Sequence, residues 1–265
     1  MTFLILSTLS GIALVVLPIV AVLKLRNRWK LPKGLFLKAG MAALMVEIIH
    51  AAVLGNGTSL WPQLLDLPAY AMAIIFGVVS GLFTELGRFL ILDKLMKKVR
   101  GLHEGLMFAL GWGGLQTILY GAVVVFGVIG MYMISGVSNI ATILPDADKS
   151  QLTAFTEIQK QSNELMNGNP ILGLAPVIER GSLIMIDIAL TLLIILGLIE
   201  GKTSNTWLAV GFRTLVTASV LYANSWAPLA GEFCLILFGL AAYLMSRKLS
   251  SVLNEAIHGK GYVKA

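Results

Sequence analysis

Cysteine is nearly absent from this chain of 265 residues: the one copy, Cys234, lies in an apolar run. That excludes an internal disulfide and a cysteine-based metal cluster. Charge is scarce too, with 13% charged against 57% hydrophobic residues. Soluble domains usually carry about 25% charged residues, so an ordinary globular enzyme is excluded. No stretch between the apolar runs is long enough for a separate soluble domain. A G-x-x-x-x-G-K-[ST] phosphate loop is also missing, so any energy source must lie in another protein.

What is present is a series of apolar runs. A helix needs about 20 mostly apolar residues to cross the hydrocarbon core. Seven segments qualify or nearly so, roughly 3–23, 35–55, 69–92, 104–134, 171–199, 207–224 and 229–246. The sequence therefore predicts an all-α polytopic membrane bundle of about seven transmembrane helices, with residues 1–265 as a single transmembrane domain. The first run, Phe3 to Leu23, lacks preceding basic residues and a small-residue cleavage pattern, so it is read as a retained helix.

Charge placement predicts the direction of crossing. Fifteen of the twenty basic residues fall in one set of alternate loops and tails: Lys24, Arg26, Arg28, Lys30, Lys33, Lys38, Lys94, Lys97, Lys98, Arg100, Lys202, Arg247, Lys248, Lys260 and Lys264. The opposite side holds only Lys149 and Lys160, both in the 135–170 loop. Lys and Arg accumulate on the cytoplasmic side. The expectation is an outside N-terminus, a cytoplasmic C-terminus and an extracytoplasmic 135–170 loop, in a prokaryotic plasma membrane. The formal net charge of +6 then reports topology and anionic headgroups, and nucleic acid is not needed to explain it. Within the loop, Asp148 to Met166 allows an amphipathic helix with Leu152, Phe155, Ile158 and Leu165 near one face, on the membrane surface or capping the bundle. A plain solvated loop is the other reading. Asn56-Gly57-Thr58 matches a glycosylation sequon, read as chance in so short a loop.

Arg88, Arg180 and Arg213 fall inside the apolar runs, as do Glu47, Glu85, Glu179, Asp187, Glu232 and His50. Ionisable groups in hydrocarbon are costly and mark function by default; the bland reading is internal salt bridges that fix helix register. With a rise of about 1.5 Å per residue, Glu85 lies about 10 Å from the cytoplasmic end of its helix, Trp112 about 12 Å, Arg213 about 9 Å and Asp187 about 18 Å. Gln116, Glu47 and His50 are similarly deep, so these residues can share one buried site, with Glu179 far above it. Glu85 and Arg88, three apart, can pair. Arg88 is nearer the surface and free to snorkel, which leaves Arg213 as counter-charge to Glu85 or Asp187. Gly77, Gly81, Gly111, Gly113 and Gly114 would let the third and fourth helices approach closely.

These residues carry a family resemblance. Thr84-Glu85-Leu86-Gly87-Arg88 resembles the Glu-Glu-x-x-Arg motif of the YhfC-type intramembrane metalloproteases, relatives of the CAAX-processing and bacteriocin-processing membrane proteases. Phe108 to Leu119 (FALGWGGLQTIL) is similar to their F-G-x-G-H-G-G-x-E-A-I-x segment. Glu179-Arg180 followed by Asp187-Ile188-Ala189-Leu190-Thr191 resembles Glu-Arg-x6-His-I-x-L-S, and Arg213 to Thr217 aligns with a later His-x-x-x-Asp. The resemblance implies a protease fold with a metal site. Where the pattern has histidine, however, this chain has Trp112, Asp187 and Arg213, and Gln116 replaces a glutamate.

Zinc needs three or four N, S or O ligands, and at the matched positions only Glu85 and Asp187 remain as donors. Of the three histidines, His103 is near the cytoplasmic mouth, His258 is in the tail, and His50 reads as a core histidine. The expectation is a non-catalytic member with no metal and no cofactor. Its remnant site is Glu85, Arg88, Trp112, Gln116, Glu179, Arg180, Asp187 and Arg213. Its partners would be the lipid bilayer and another membrane protein, hydrophobic peptide or lipid-like ligand, as a subunit of a transporter or a bacteriocin or immunity complex. The rival is an active protease with a rearranged site of Glu47, His50, Glu85 and Asp187. A small transporter ranks lower because no inverted repeat is evident.

Overall fold

A computed structural model of the chain describes residues 2–137, 148–227 and 229–259. Residues 138–147 of the polar loop and the tail bearing Lys260 and Lys264 lie outside it. The order is α1 (Thr2–Trp29), α2 (Lys33–Leu60), α3 (Ala69–Leu95), α4 (Leu102–Ser135), α5 (Lys149–Asn167), α6 (Ala175–Glu200), α7 (Ser204–Asn224) and α8 (Ala230–Gly259). Among the described residues there is no strand, and seven helices are long and apolar enough to cross a membrane. They are the seven segments the hydropathy runs pick out. α5 is the eighth, polar helix. The chain divides into two compact units, 1–17 with 117–178 and 18–116 with 179–265.

In the larger unit α6 is the central helix. In its span 61% of the most apolar stretch is buried, against 17–33% in the others. Ile186, Ala189, Leu190, Leu192, Ile194 and Ile195 are all fully enclosed. Such a helix must be apolar all round, which is why its one deep charge, Asp187, stands out.

Glycines set how the neighbouring helices meet, and the partners differ from the expected pairing of α3 with α4. Gly77 and Gly81 form a G-x-x-x-G face on α3 that lies against α7: a Cβ on Gly77 would come within 2.8 Å of the Thr214 carbonyl, and one on Gly81 within 2.8 Å of the Val210 carbonyl. Only a residue without a Cβ permits that approach. Gly111 of α4 faces α2 at Phe36 and Ala39, while Gly114 faces Phe36 and Pro18. Helical position shows which glycines share a face; it does not show which helix that face meets.

α3 is not a uniform α-helix. Its turns Leu82–Leu86 and Ile91–Leu95 are π-helical, with the short α segment Gly87–Leu90 between them. Each π turn takes an extra residue into the coil and re-aims the side chains after it.

In the smaller unit α1 and α4 touch through glycine: a Cβ on Gly121 would meet the Gly11 carbonyl at 2.8 Å. Phe3, Leu4 and Val128 form its buried core, with Met131, Met166 and Leu172 packed on it. The helical reading of the 135–170 loop holds for α5. The Asp148 carboxylate accepts from the Gln151 N–H at 2.9 Å, and the Gln151 side chain accepts from the Asp148 N–H at 3.1 Å. This is a capping box, which satisfies two otherwise orphaned donors. The inward face differs from the expected one: it carries Leu152, Phe155, Gln159, Ser162 and Met166, whereas Ile158 and Leu165 are exposed. Gln159 and Ser162 can face inward because both are bonded. Gln159 donates to the Ile134 and Val137 carbonyls at the end of α4, and Ser162 to the Ile158 carbonyl.

Candidate functional site

The larger unit contains a buried cluster of charge built from four helices. Glu85 sits in the first π turn of α3 and Arg88 one turn later; both are fully buried. Asp187 comes from the enclosed middle of α6, 3% exposed. Trp112 comes from α4, and Arg213 from α7.

Arg88 is the centre of this cluster. Its Nη2 donates to Asp187 Oδ1 at 2.5 Å, its Nη1 donates to the Asp187 carbonyl at 3.3 Å, and Nη1 lies 3.1 Å from Glu85 Oε2. Its guanidinium carbon stands 5.0 Å from the centre of the Trp112 ring, a cation–π distance. Phe108 stacks behind Trp112 at 5.7 Å. The snorkelling expected for Arg88 therefore does not occur. The π turn places the side chain inside the protein, where two carboxylates compensate it.

Arg213 is a peripheral member. Its Nη1 is 3.6 Å from Asp187 Oδ1, too long for a hydrogen bond, and its side chain is 15% exposed. Gly113 makes room for the carboxylate: a Cβ there would come within 2.6 Å of Asp187 Oδ2. The two glutamate oxygens of Glu85 and Thr191 Oγ1 are buried without an aligned hydrogen bond. Glu85 is thus held by charge attraction more than by directed bonding.

The remaining expected residues lie apart from this centre. Glu179 and Arg180 are neighbours with an ion contact of 3.5 Å at the start of α6. Gln116 is half-buried, and among the described residues it makes no hydrogen bond or ion pair with the cluster. His50 lies 3.4 Å from Glu47 and stacks on Phe83 at 5.9 Å. Both imidazole nitrogens lack hydrogen-bond geometry, so the His50–Glu47 approach is a close contact without a directed bond. His103 stacks on Trp29 at 4.0 Å, away from the cluster. Sequence reasoning missed the roles of Gly113 and Phe108. The spacing of Phe108 and Trp112, one helical turn apart, was the available signal.

The residues present do not fit a metal ion. Glu85 and Asp187 are the only anionic donors of the cluster, and both face the Arg88 guanidinium. Trp112 offers only an N–H donor. A divalent cation between these carboxylates would have to displace Arg88 and sit beside Arg213. Among the described residues, no three His, Cys, Asp or Glu side chains gather as metal ligands, which applies equally to the rearranged set of Glu47, His50, Glu85 and Asp187.

Comparison with known proteins agrees with the motif resemblance. The family model described as YhfC intramembrane metalloprotease matches residues 13–249. The chain is 27% identical over 194 residues to the uncharacterized membrane protein YhfC of Bacillus subtilis (strain 168), covering 71% of this chain and 72% of that protein. No solved structure matches the chain. With a family match over most of its length and seven spans of membrane-crossing length, this integral membrane protein belongs to the YhfC intramembrane metalloprotease family.

Proposed function

We propose that this chain is a non-catalytic member of its family, which uses the protease architecture to bind a transmembrane segment or hydrophobic peptide of a partner protein. The observation that carries this reading is the Arg88 guanidinium held between Glu85 and Asp187 beneath Trp112. Hydrolysis of a peptide in the membrane needs an activated water, commonly generated by a metal with an open coordination position. Here a permanent cation lies between the two carboxylates that such chemistry would use. Arginine does not lose its proton in proteins, so it cannot serve as a general base either.

The reading is tested by elemental analysis of the purified protein together with affinity purification in mild detergent. The expected result is no stoichiometric zinc, and a co-purifying membrane protein or peptide that survives Glu85→Gln. About one zinc per chain, lost on Glu85→Gln or Asp187→Asn, would overturn the proposal and restore the hydrolytic reading.

A further inference from the structure

α2 and α3 pack closely at one point: a Cβ on Gly87 would come within 2.9 Å of Val46. Along this crossing runs an apolar cavity of about 430 Å³, lined by Val46, Ile49, Phe83, Leu86 and Leu90 among others. Ile91 also lines a second cavity of about 970 Å³, so the two are neighbours along α3. The second is apolar inside, with Met41, Met45 and Leu95, and it opens among Lys38, Lys94, Lys97 and Lys98. Among the described residues, Glu104 is the carboxylate that lines it. The second π turn, Ile91–Leu95, contributes Ile91, Lys94 and Leu95 to the second cavity, and Leu95 at its end is 78% exposed.

We propose that these two neighbouring cavities together bind an anionic phospholipid, with one acyl chain along α2 and α3 and the phosphate among the four lysines. From Leu82 to Leu95 the groove runs about 20 Å at helical rise, enough for the acyl chain of one leaflet, about 15 Å. Charge complementarity selects the headgroup, because four cations against one carboxylate favour a net anion. Lys94 already meets Asp93 at 2.7 Å. Its side chain is 67% exposed, and an ammonium has three donors, so it retains capacity for a phosphate. The sunken apolar floor separates this site from the general lipid contact of every spanning helix. Phe83 lines the first cavity, and His50 stacks on it. This inference does not depend on the non-catalytic reading.

The test is native mass spectrometry of the purified full chain in mild detergent, titrated with phosphatidylglycerol or phosphatidylcholine of matched acyl chains. One phosphatidylglycerol per chain should be retained, about tenfold in preference to phosphatidylcholine. Replacing Lys38, Lys94, Lys97 and Lys98 by Gln should weaken phosphatidylglycerol by about fivefold for each lysine removed. Leu90→Trp and Ile49→Trp, at half-exposed groove positions, should weaken both lipids without lowering the melting temperature. Equal retention of the two lipids, or undiminished binding in the lysine variant, would overturn the proposal. So would full competition by inorganic phosphate at equal concentration, which would mark a simple anion site. Unchanged binding in both tryptophan variants would do the same, by showing that no chain occupies the groove.

Discussion

Arg88 carries five N–H donors and a charge that it keeps at any relevant pH. It is fully buried, and an unpaired guanidinium in that position would be heavily penalised. The ion pairs to Asp187 and Glu85 and the Trp112 ring supply the compensation. Removing one partner from a buried pair typically costs about 3–5 kcal/mol, because the other charge is stranded. Arg88→Met should therefore destabilise the protein by about that amount, since it strands two carboxylates. Adding Glu85→Gln and Asp187→Asn to the same chain should recover most of the loss. Arg213→Gln should couple to Asp187 more weakly than Arg88 does, given its 3.6 Å separation and partial exposure. Denaturant unfolding in detergent measures each step, and strictly additive losses around the Arg88 cycle would show that the bridge carries no energy. Much of this was legible in the residues: Glu85, Arg88 and Asp187 stand out as charges in apolar runs, and Glu85 and Arg88 are spaced to pair. The priority of Arg88 over Arg213 was not legible. It depends on the direction of one side chain, and a π turn alters that direction without a marker in the sequence.

At the scale of elements, hydropathy located the seven helices of membrane-crossing length among the described residues, because water-to-hydrocarbon transfer dominates the choice of which segments cross. It was less informative where polar side chains find local partners. On α5, apolar spacing pointed to Ile158 and Leu165, but the inward stripe includes Gln159 and Ser162, whose hydrogen bonds satisfy them. The start of this helix makes a pH-dependent prediction. The Gln151 N–H and the Ser150 hydroxyl, at 2.9 and 2.8 Å, hold the Asp148 carboxyl below the ordinary aspartate value of 3.8. A depressed folded value means that the cap's contribution is present at and above the ordinary value. It is lost as pH falls from about 4 through the lowered folded value. A spin label on Ala154 should therefore gain mobility below about pH 4, reversibly. Asp148→Asn keeps a capping oxygen without a titrating group, so its spectrum should stay flat over the same range. A label equally mobile in both chains at every pH would show that the capping box does not hold the helix.

For the whole molecule, the distribution of charge along the sequence implies more than any local contact does. The seven spans leave Lys94 at the end of α3, Lys97, Lys98 and Arg100 in the connection after it, and Lys202 in the tight turn after α6. On the same side, the end of α1, the short connection after it and the start of α2 carry Lys24 through Lys38, and the last turns of α8 carry Arg247 and Lys248. The polar helix α5 follows a span running the other way, so an odd number of crossings separates it from those lysines. An orientation that put the lysine-rich connections outside would oppose the tendency of basic loops to remain in the cytoplasm. It would also take the lysine mouth of the α2–α3 groove away from the leaflet whose anionic lipids it suits. We therefore expect α5 on the outer side. In a background where Cys234 is replaced by Ser, cysteine introduced at Ala154 should react with a membrane-impermeant maleimide on intact cells. Cysteine introduced at Lys97 should react only after the membrane is permeabilised. Both positions are exposed, so steric protection does not account for a difference, and a permeant reagent should label both. Labelling of the Lys97 position alone on intact cells would reverse the orientation. Labelling of both positions there would mean that an odd number of crossings does not separate them, and the count of seven spans would have to change.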